Sequence, residues 1–197
     1  YLREVGSYGV DNVALLSPYR QKTETGANAL NERLREKVNP PSSSKPEAVV
    51  GKRKFRLGDK VMQIKNYEDV NNGDIGYITH IHHDGSDVTV TVDFDGRIMD
   101  YEGNDLEMLD LAYASTIHKS QGSEYQSVII NLQCAHAVML VRPLIYTAIT
   151  RAKQRVILVG ERRALCIVIK RTDTEQRGTM LAARIAEQMN NIREEIV

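Results

Sequence analysis

The sequence predicts an α/β domain, a parallel sheet flanked by helices, with a small all-β barrel inserted into it. Apolar runs such as "NVALLSPY", "SVIINL" and "RVILVG" read as buried strands, and they alternate with segments of helical spacing. From Phe55 to Leu109 the character changes. Short β-type runs follow one another closely there, parted by Asn-Gly and Asp-Gly turn signals. The totals suit a globular chain of 197 residues, 42% hydrophobic and 26% charged. Lys plus Arg equals Asp plus Glu at 26 each, so the whole molecule does not steer toward nucleic acid and only local basic patches can.

Each element can be justified in order. "NVALLSPY" is a strand running into a loop at Ser-Pro. Ala27, Leu30, Leu34 and Val38 then recur at helical spacing, with Thr23 or Thr25 as the capping candidate. "PPSSSKPEAVVGKRK" has no periodicity and reads as a mobile linker. In "VTVTVDF", Val88, Val90, Val92 and Phe94 face one way and the threonines the other, and an SH3-like barrel is the economical form for such strands. After Leu111 the α/β alternation returns: "SVIINL" is a strand, "RPLIYTAITRAK" a helix with Pro143 in its first turn, and "RVILVG" another buried strand. "ERRALCIVIK" starts a helix, and a charged helical tail follows Arg171. The expected division is residues 1–50 as the first part of the α/β domain and linker, 51–110 as the barrel, 111–170 as the remainder, and 171–197 as the tail.

"STIHKSQGSE" is too polar for a core helix. Ser115 or Thr116 suits an N-cap and Gly122 a stop, which predicts a helix little more than one turn long. Its start can hold a phosphate, and a carboxylate at its far end, Glu124, can accept hydrogen bonds from a ribose hydroxyl pair. The alternative is a solvated, capped connector. On the helix of "LIYTAITRAK", Thr147 and Arg151 lie four apart on one face, while Ile145, Ile149 and Ala152 can pack on the sheet. An outward Arg151 is the kind of group that stabilises charge on a transferring phosphoryl group, and the alternative is a surface salt bridge.

"YASTIHKSQGSEYQSVII" followed by "LIYTAITRAKQRVILVG" resembles motifs V and VI of superfamily 1 helicases of the RecD/TraA branch. "LLSPYRQKTETGANALNERL" resembles that branch's motif IV region, and "FRLGDKVMQIKNYEDVNNGDIGYI" its SH3-like insertion. The resemblance implies a RecA-like second motor domain of an ATP-dependent 5′-to-3′ DNA helicase. Arg151 would then be the arginine finger and Arg20 a second contact to the same phosphate. Gln121, Gly122 and Glu124 would lie near the nucleotide, and Thr116, His118, Lys119 and Ser120 at the DNA. The implied partners are single-stranded DNA, the N-terminal RecA-like domain of the same polypeptide, and other repair proteins; the cofactor is ATP with Mg2+, bound mainly by that other domain. Two readings stand beside this one: a non-catalytic module binding DNA or a partner, and the alpha subunit of a helicase-nuclease such as exodeoxyribonuclease V.

No GxxxxGK[ST] loop occurs in these residues, and no acidic motif for magnesium follows an apolar strand, so the chain alone is expected not to hydrolyse ATP. Tyr1 is not a natural start, which fits a piece of a longer polypeptide. Lys52, Arg53, Lys54, Arg56, Lys60 and Lys65 give the barrel a basic run, either a DNA-facing surface or a solvated one balanced by Asp59, Glu68, Asp69 and Asp74. His80, His82 and His83 in "HIHHD" read as a polar strand before a turn, and no metal site is expected. Cys134 and Cys166 lack ligand or redox spacing and are expected as buried thiols in a reducing compartment. No apolar run is long enough to span a membrane and no signal peptide is visible, so a cytoplasmic location is expected.

Overall fold

The computed structural model describes residues 1–21, 23–51, 53–85 and 87–171. The expected charged tail lies outside the described residues. β1 (Val13–Ser17), β9 (Ala114–Thr116), β10 (Tyr125–Leu132) and β11 (Ala152–Gly160) form a parallel sheet in the order β11-β10-β1-β9. β1 is buried along its whole length, as its unbroken apolar run requires of a central parallel strand. One face packs Leu16, Val128 and Ile130 against α3 (Arg142–Ile149) and α4 (Arg162–Lys170). On the other face Val13, Leu15 and Ile129 meet Val5 of α1 (Leu2–Tyr8) and Leu30 and Leu34 of α2 (Ala27–Val38).

The second body is antiparallel. β4 (Lys60–Gln63), β5 (Ile75–Asp84), β6 (Asp87–Phe94), β7 (Arg97–Glu102) and β8 (Leu109–Leu111) lie in the order β7-β6-β5-β4-β8. Val90, Val92 and Phe94 point into its core as the alternation predicts, while Thr89 and Thr91 bond Glu102 and Asp100 outside. Gly76 sits where β5 passes under β6. A Cβ there would lie 2.7 Å from the Asp93 carbonyl oxygen and 2.8 Å from the Val92 and Phe94 side chains. Gly76→Ala is therefore expected to cost about 2–3 kcal/mol. An unchanged urea midpoint would show that the barrel yields freely at this point.

Four expectations need correction. Within the predicted linker, β2 (Glu47–Val50) and β3 (Arg53–Arg56) form a hairpin whose cross-strand pair, Ala48 and Phe55, is buried in the barrel core. The Pro-Ser composition describes only the stretch before it. The cap of α2 is Gly26, without a side-chain hydrogen bond, because Thr23 and Thr25 turn toward His136 instead. β11 is largely exposed rather than buried, since it is the outer strand and the described helices cover little of it. Cys134 is half-buried and Cys166 exposed, for α4 buries Ala164 and Val168 instead. Among the described residues no helix is long and apolar enough to cross a membrane.

Polar groups dominate the seam between the two bodies. Arg56 of β3 is 2% exposed; its Nε donates to Glu47 at 2.7 Å, its Nη2 reaches Glu36 of α2 at 3.2 Å, and its Nη1 meets the Asn39 carbonyl. Lys60 of β4 pairs with Asp11 at 2.8 Å, and Tyr113 donates its hydroxyl to Asp59 at 3.1 Å. Asn31 of α2 donates to the Leu111 and Ala114 carbonyls and accepts from the Ala114 N–H, clasping the strand that leaves the barrel.

Candidate functional site

β9 places Thr116 beside Ser17, whereas β10 places Ser127 beside Val13. Residues 117–124 therefore cross from the carboxyl end of β1 back to its amino end. The expected short helix does not form. Pairing with β1 keeps Ser115 and Thr116 extended, and successive turns follow: the Ser120 N–H reaches Thr116 O at 3.2 Å, and that of Ser123 reaches Ser120 O at 3.1 Å. Ile117 anchors the crossover in the core, and Gly122 takes a left-handed φ of 87° that suits glycine. The Thr116 hydroxyl accepts the Lys119 N–H at 3.3 Å, so its capping role survives without a helix. His118, Lys119, Gln121, Gly122 and Glu124 are exposed. Ser120 departs from expectation: it is 1% exposed and donates its hydroxyl to Ile117 O at 2.8 Å, so it braces the turn instead of facing a ligand.

The helix carrying Thr147 is shorter than expected, because Ala152 already pairs with Tyr125 as the start of β11. Pro143 occupies its first turn as predicted. Arg151 lies in the connection. Its Nη1 donates to Ser123 O at 3.2 Å, its Nε to Thr147 O at 3.3 Å and its Nη2 to Thr150 Oγ1 at 3.4 Å. The Tyr125 N–H in turn donates to Arg151 O at 2.8 Å. Among the described residues Arg151 forms no ion pair, so neutral oxygens hold a full positive charge. Glu124 beside it pairs with Lys153 at 3.0 Å, both side chains exposed. The structure thus gathers Arg151, Gln121, Gly122 and Glu124 at the amino ends of β10 and β11.

Arg20 is elsewhere. It follows the carboxyl end of β1 and pairs with Asp110 of β8, whose other oxygen lies 3.8 Å from Arg53 Nη2. Arg20 therefore follows the carboxyl end of β1, whereas Arg151 precedes the amino end of β11. Lys119 and Thr116 are at the Arg20 end. Although Lys119 is exposed as a residue, partial desolvation of its ammonium lowers its pKa below the ordinary value; Arg20 and Arg53 add to this and Asp110 opposes it. Sequence reasoning missed Asp110 and the wholly buried His136. The His136 Nε2 meets the Thr23 and Thr25 hydroxyls at 3.2 and 3.3 Å, its ring stands edge-on to Tyr19 at 5.6 Å, and burial lowers its pKa below the ordinary imidazole value. It pins the loop that carries Arg20, and no local pattern signals that.

Residues 30–94 match the family model of the ATP-dependent RecD-like DNA helicase SH3 domain, and residues 111–159 that of the UvrD-like helicase C-terminal domain. The ATP-dependent RecD2 DNA helicase of Deinococcus radiodurans is 37% identical over 186 residues, which is 93% of this chain and 24% of that protein. The chain belongs to the RecD-like helicase family. The RecBCD enzyme subunit RecD of Mycolicibacterium smegmatis is 41% identical over 76 residues, 39% of this chain and 12% of that one. The fold also matches a Pif1 helicase from Bacteroides solved in complex with ADP-AlF3 and ssDNA, with a TM-score of 0.50 and 18% identity, over 75% of this chain and 40% of that one. The RecD-like chain thus spans 24% of its Deinococcus relative.

Membership in this family makes the barrel's basic run worth locating. Arg56 and Lys60 are buried in the seam, Lys54 pairs with Glu47 at 2.5 Å, and Arg53 donates to the Glu107 and Leu109 carbonyls at 2.6 Å. Their partners are Glu36, Glu47, Asp11 and Asp110, not the acidic residues nearest in sequence. Arg56 and Lys60 thus hold the RecD-like chain together, whereas Arg53 and Lys54 are paired but remain partly exposed, and Lys52 lies outside the described residues. Phe55 is core, and the Tyr67 and Tyr77 hydroxyls bond Asp105 and Asp11. Among the described residues no group of three His, Cys, Asp or Glu side chains could hold a metal ion.

Proposed function

We propose that this chain is the second RecA-like motor domain, with its inserted barrel, of an ATP-dependent 5′-to-3′ DNA helicase. The observation that carries the reading is the Arg151 guanidinium, without an ion-pair partner among the described residues and held by carbonyls against the 121–124 crossover. A cation presented this way is preorganised for a γ-phosphate offered by another domain, and its fork geometry suits the equatorial oxygens. Glu124 accepts from the ribose, and Gln121 and the Gly122 backbone border the nucleotide. At the other end of the sheet Thr116, His118, Lys119 and Arg20 meet single-stranded DNA. The first RecA-like domain of the same polypeptide supplies the Walker loop and the carboxylates that hold magnesium. The division into motor domain and barrel belongs to the same reading, with the barrel taken from the β2–β3 hairpin at Glu47 instead of residue 51.

The test compares two proteins. The full-length polypeptide is expected to hydrolyse ATP when single-stranded DNA is added, and residues 1–197 alone to show none. Stimulated hydrolysis by residues 1–197 alone would contradict the half-motor reading, and no hydrolysis by the full-length polypeptide would leave a binding module.

A further inference from the structure

We propose that Asp110 is an internal stand-in for a DNA phosphate: it occupies Arg20 and Arg53 until a phosphodiester of single-stranded DNA displaces it. The inference rests on the motor reading and adds a device to it. Three cations from different parts of the chain meet one carboxylate at the seam. Arg20 comes from the loop after β1, Lys119 from the crossover, Arg53 from the barrel hairpin, and Asp110 from β8. Among the described residues, Arg20 and Arg53 reach Asp110 within ion-pair distance. The Lys119 ammonium lies 3.8 Å from the Met62 sulfur and has no carboxylate partner among the described residues. One aspartate therefore answers three positive charges, and the surplus is positive.

Exposure favours displacement. The side chains of Arg20 and Arg53 are 40% and 34% exposed, while Asp110 is 18% exposed. An incoming anion meets the guanidiniums first, and the carboxylate lies behind them. A groove of about 360 Å³ opens beside them between α2 and the barrel, with Asn28, Arg53 and Asp110 in its walls. Thr116 and Lys119 line the adjoining recess with Arg20 and Asp110. The shared chemistry is a phosphate, which a nucleotide or a strand of DNA can bring. The nucleotide-side residues Arg151 and Glu124 lie at the opposite end of the sheet, which leaves this end to the strand. A carboxylate in waiting also serves a stepping protein: guanidiniums with a partner in both states let a phosphate go without being left bare.

The experiment uses the full-length polypeptide and a fluorescein-labelled oligothymidylate, read by anisotropy at fixed salt. Asp110→Asn is expected to tighten binding about three- to tenfold. Asp110→Ser removes the same charge with less bulk and is expected to give the same gain, so a folding defect in one variant leaves the other to decide. Asp95→Asn, at a hairpin tip of the barrel, controls for a general change in field and is expected to leave binding unchanged. In an Arg20→Ala, Arg53→Ala background the gain from Asp110→Asn should vanish. Unchanged or weaker binding, an equal gain from Asp95→Asn, or a gain that survives loss of both arginines would overturn the proposal. So would a shift in the KM for ATP with the DNA affinity unmoved, which would place a nucleotide phosphate here. If the unsubstituted polypeptide binds no oligothymidylate, the motor reading itself falls, a result distinct from failure of the Asp110 device.

Discussion

Replacing Arg151 by alanine in the full-length polypeptide is expected to lower single-strand-stimulated ATP turnover by roughly two orders of magnitude or more. Among the described residues the guanidinium has no carboxylate to neutralise it, so its charge is available to a phosphoryl group in transfer. Its three contacts are to neutral oxygens of Ser123, Thr147 and Thr150, at 3.2 to 3.4 Å, and are weak beside a phosphate. Lysine should not restore turnover, because it lacks the planar fork. Oligonucleotide affinity without nucleotide should stay within about twofold, since the residues proposed to meet DNA lie toward the other end of the sheet. Arg151 also steadies the crossover through Ser123, so the melting temperature of the variant belongs beside its kinetics. Turnover close to that of the parent would make the motif decorative and favour the binding-module reading.

The largest effect on stability is expected at Arg56. Its side chain is 2% exposed, yet it serves Glu47, Glu36 and the Asn39 carbonyl at once. Breaking a buried pair from one side costs about 3–5 kcal/mol. Here Glu36 and Glu47 are 47% and 27% exposed and can rehydrate, so Arg56→Ala should fall near the lower end, about 3 kcal/mol. Arg56→Met should recover part of that by refilling the space of the stem. Urea unfolding followed by far-ultraviolet dichroism measures both. A loss below about 1 kcal/mol would mean that the ion pairs contribute no more than an exposed bridge does.

Those two side chains also mark what the sequence could and could not disclose. The central strands were legible because an unbroken apolar run has few uses other than a buried parallel strand, and "VTVTVDF" was legible because its alternation survives in the barrel core. The hairpin at Glu47–Arg56 was not, since Pro, Ser and Lys around it mask the pair that matters, Ala48 and Phe55. Spacing placed a helix at Ser115–Gly122, but strand pairing with β1 decided otherwise. The exposure of β11 depends on its place at the end of the sheet order, which no local pattern records. At the candidate site, Arg151 and Glu124 came together as neighbours of consecutive strands. The pairing of Arg20 with Asp110 joins residues 90 positions apart, which no local pattern signals.

The polar seam has a mechanical consequence. A greasy joint can shear by fractions of an ångström, because dispersion contacts re-form at every offset. A joint of directed hydrogen bonds and buried ion pairs loses whole bonds when it slides. Arg56, Lys60, Asn31 and Tyr113 therefore weld the barrel to the sheet, and the barrel becomes a stiff lever arm rather than a hinged flap. A rotation of the sheet is then expected to carry the barrel with it as one body.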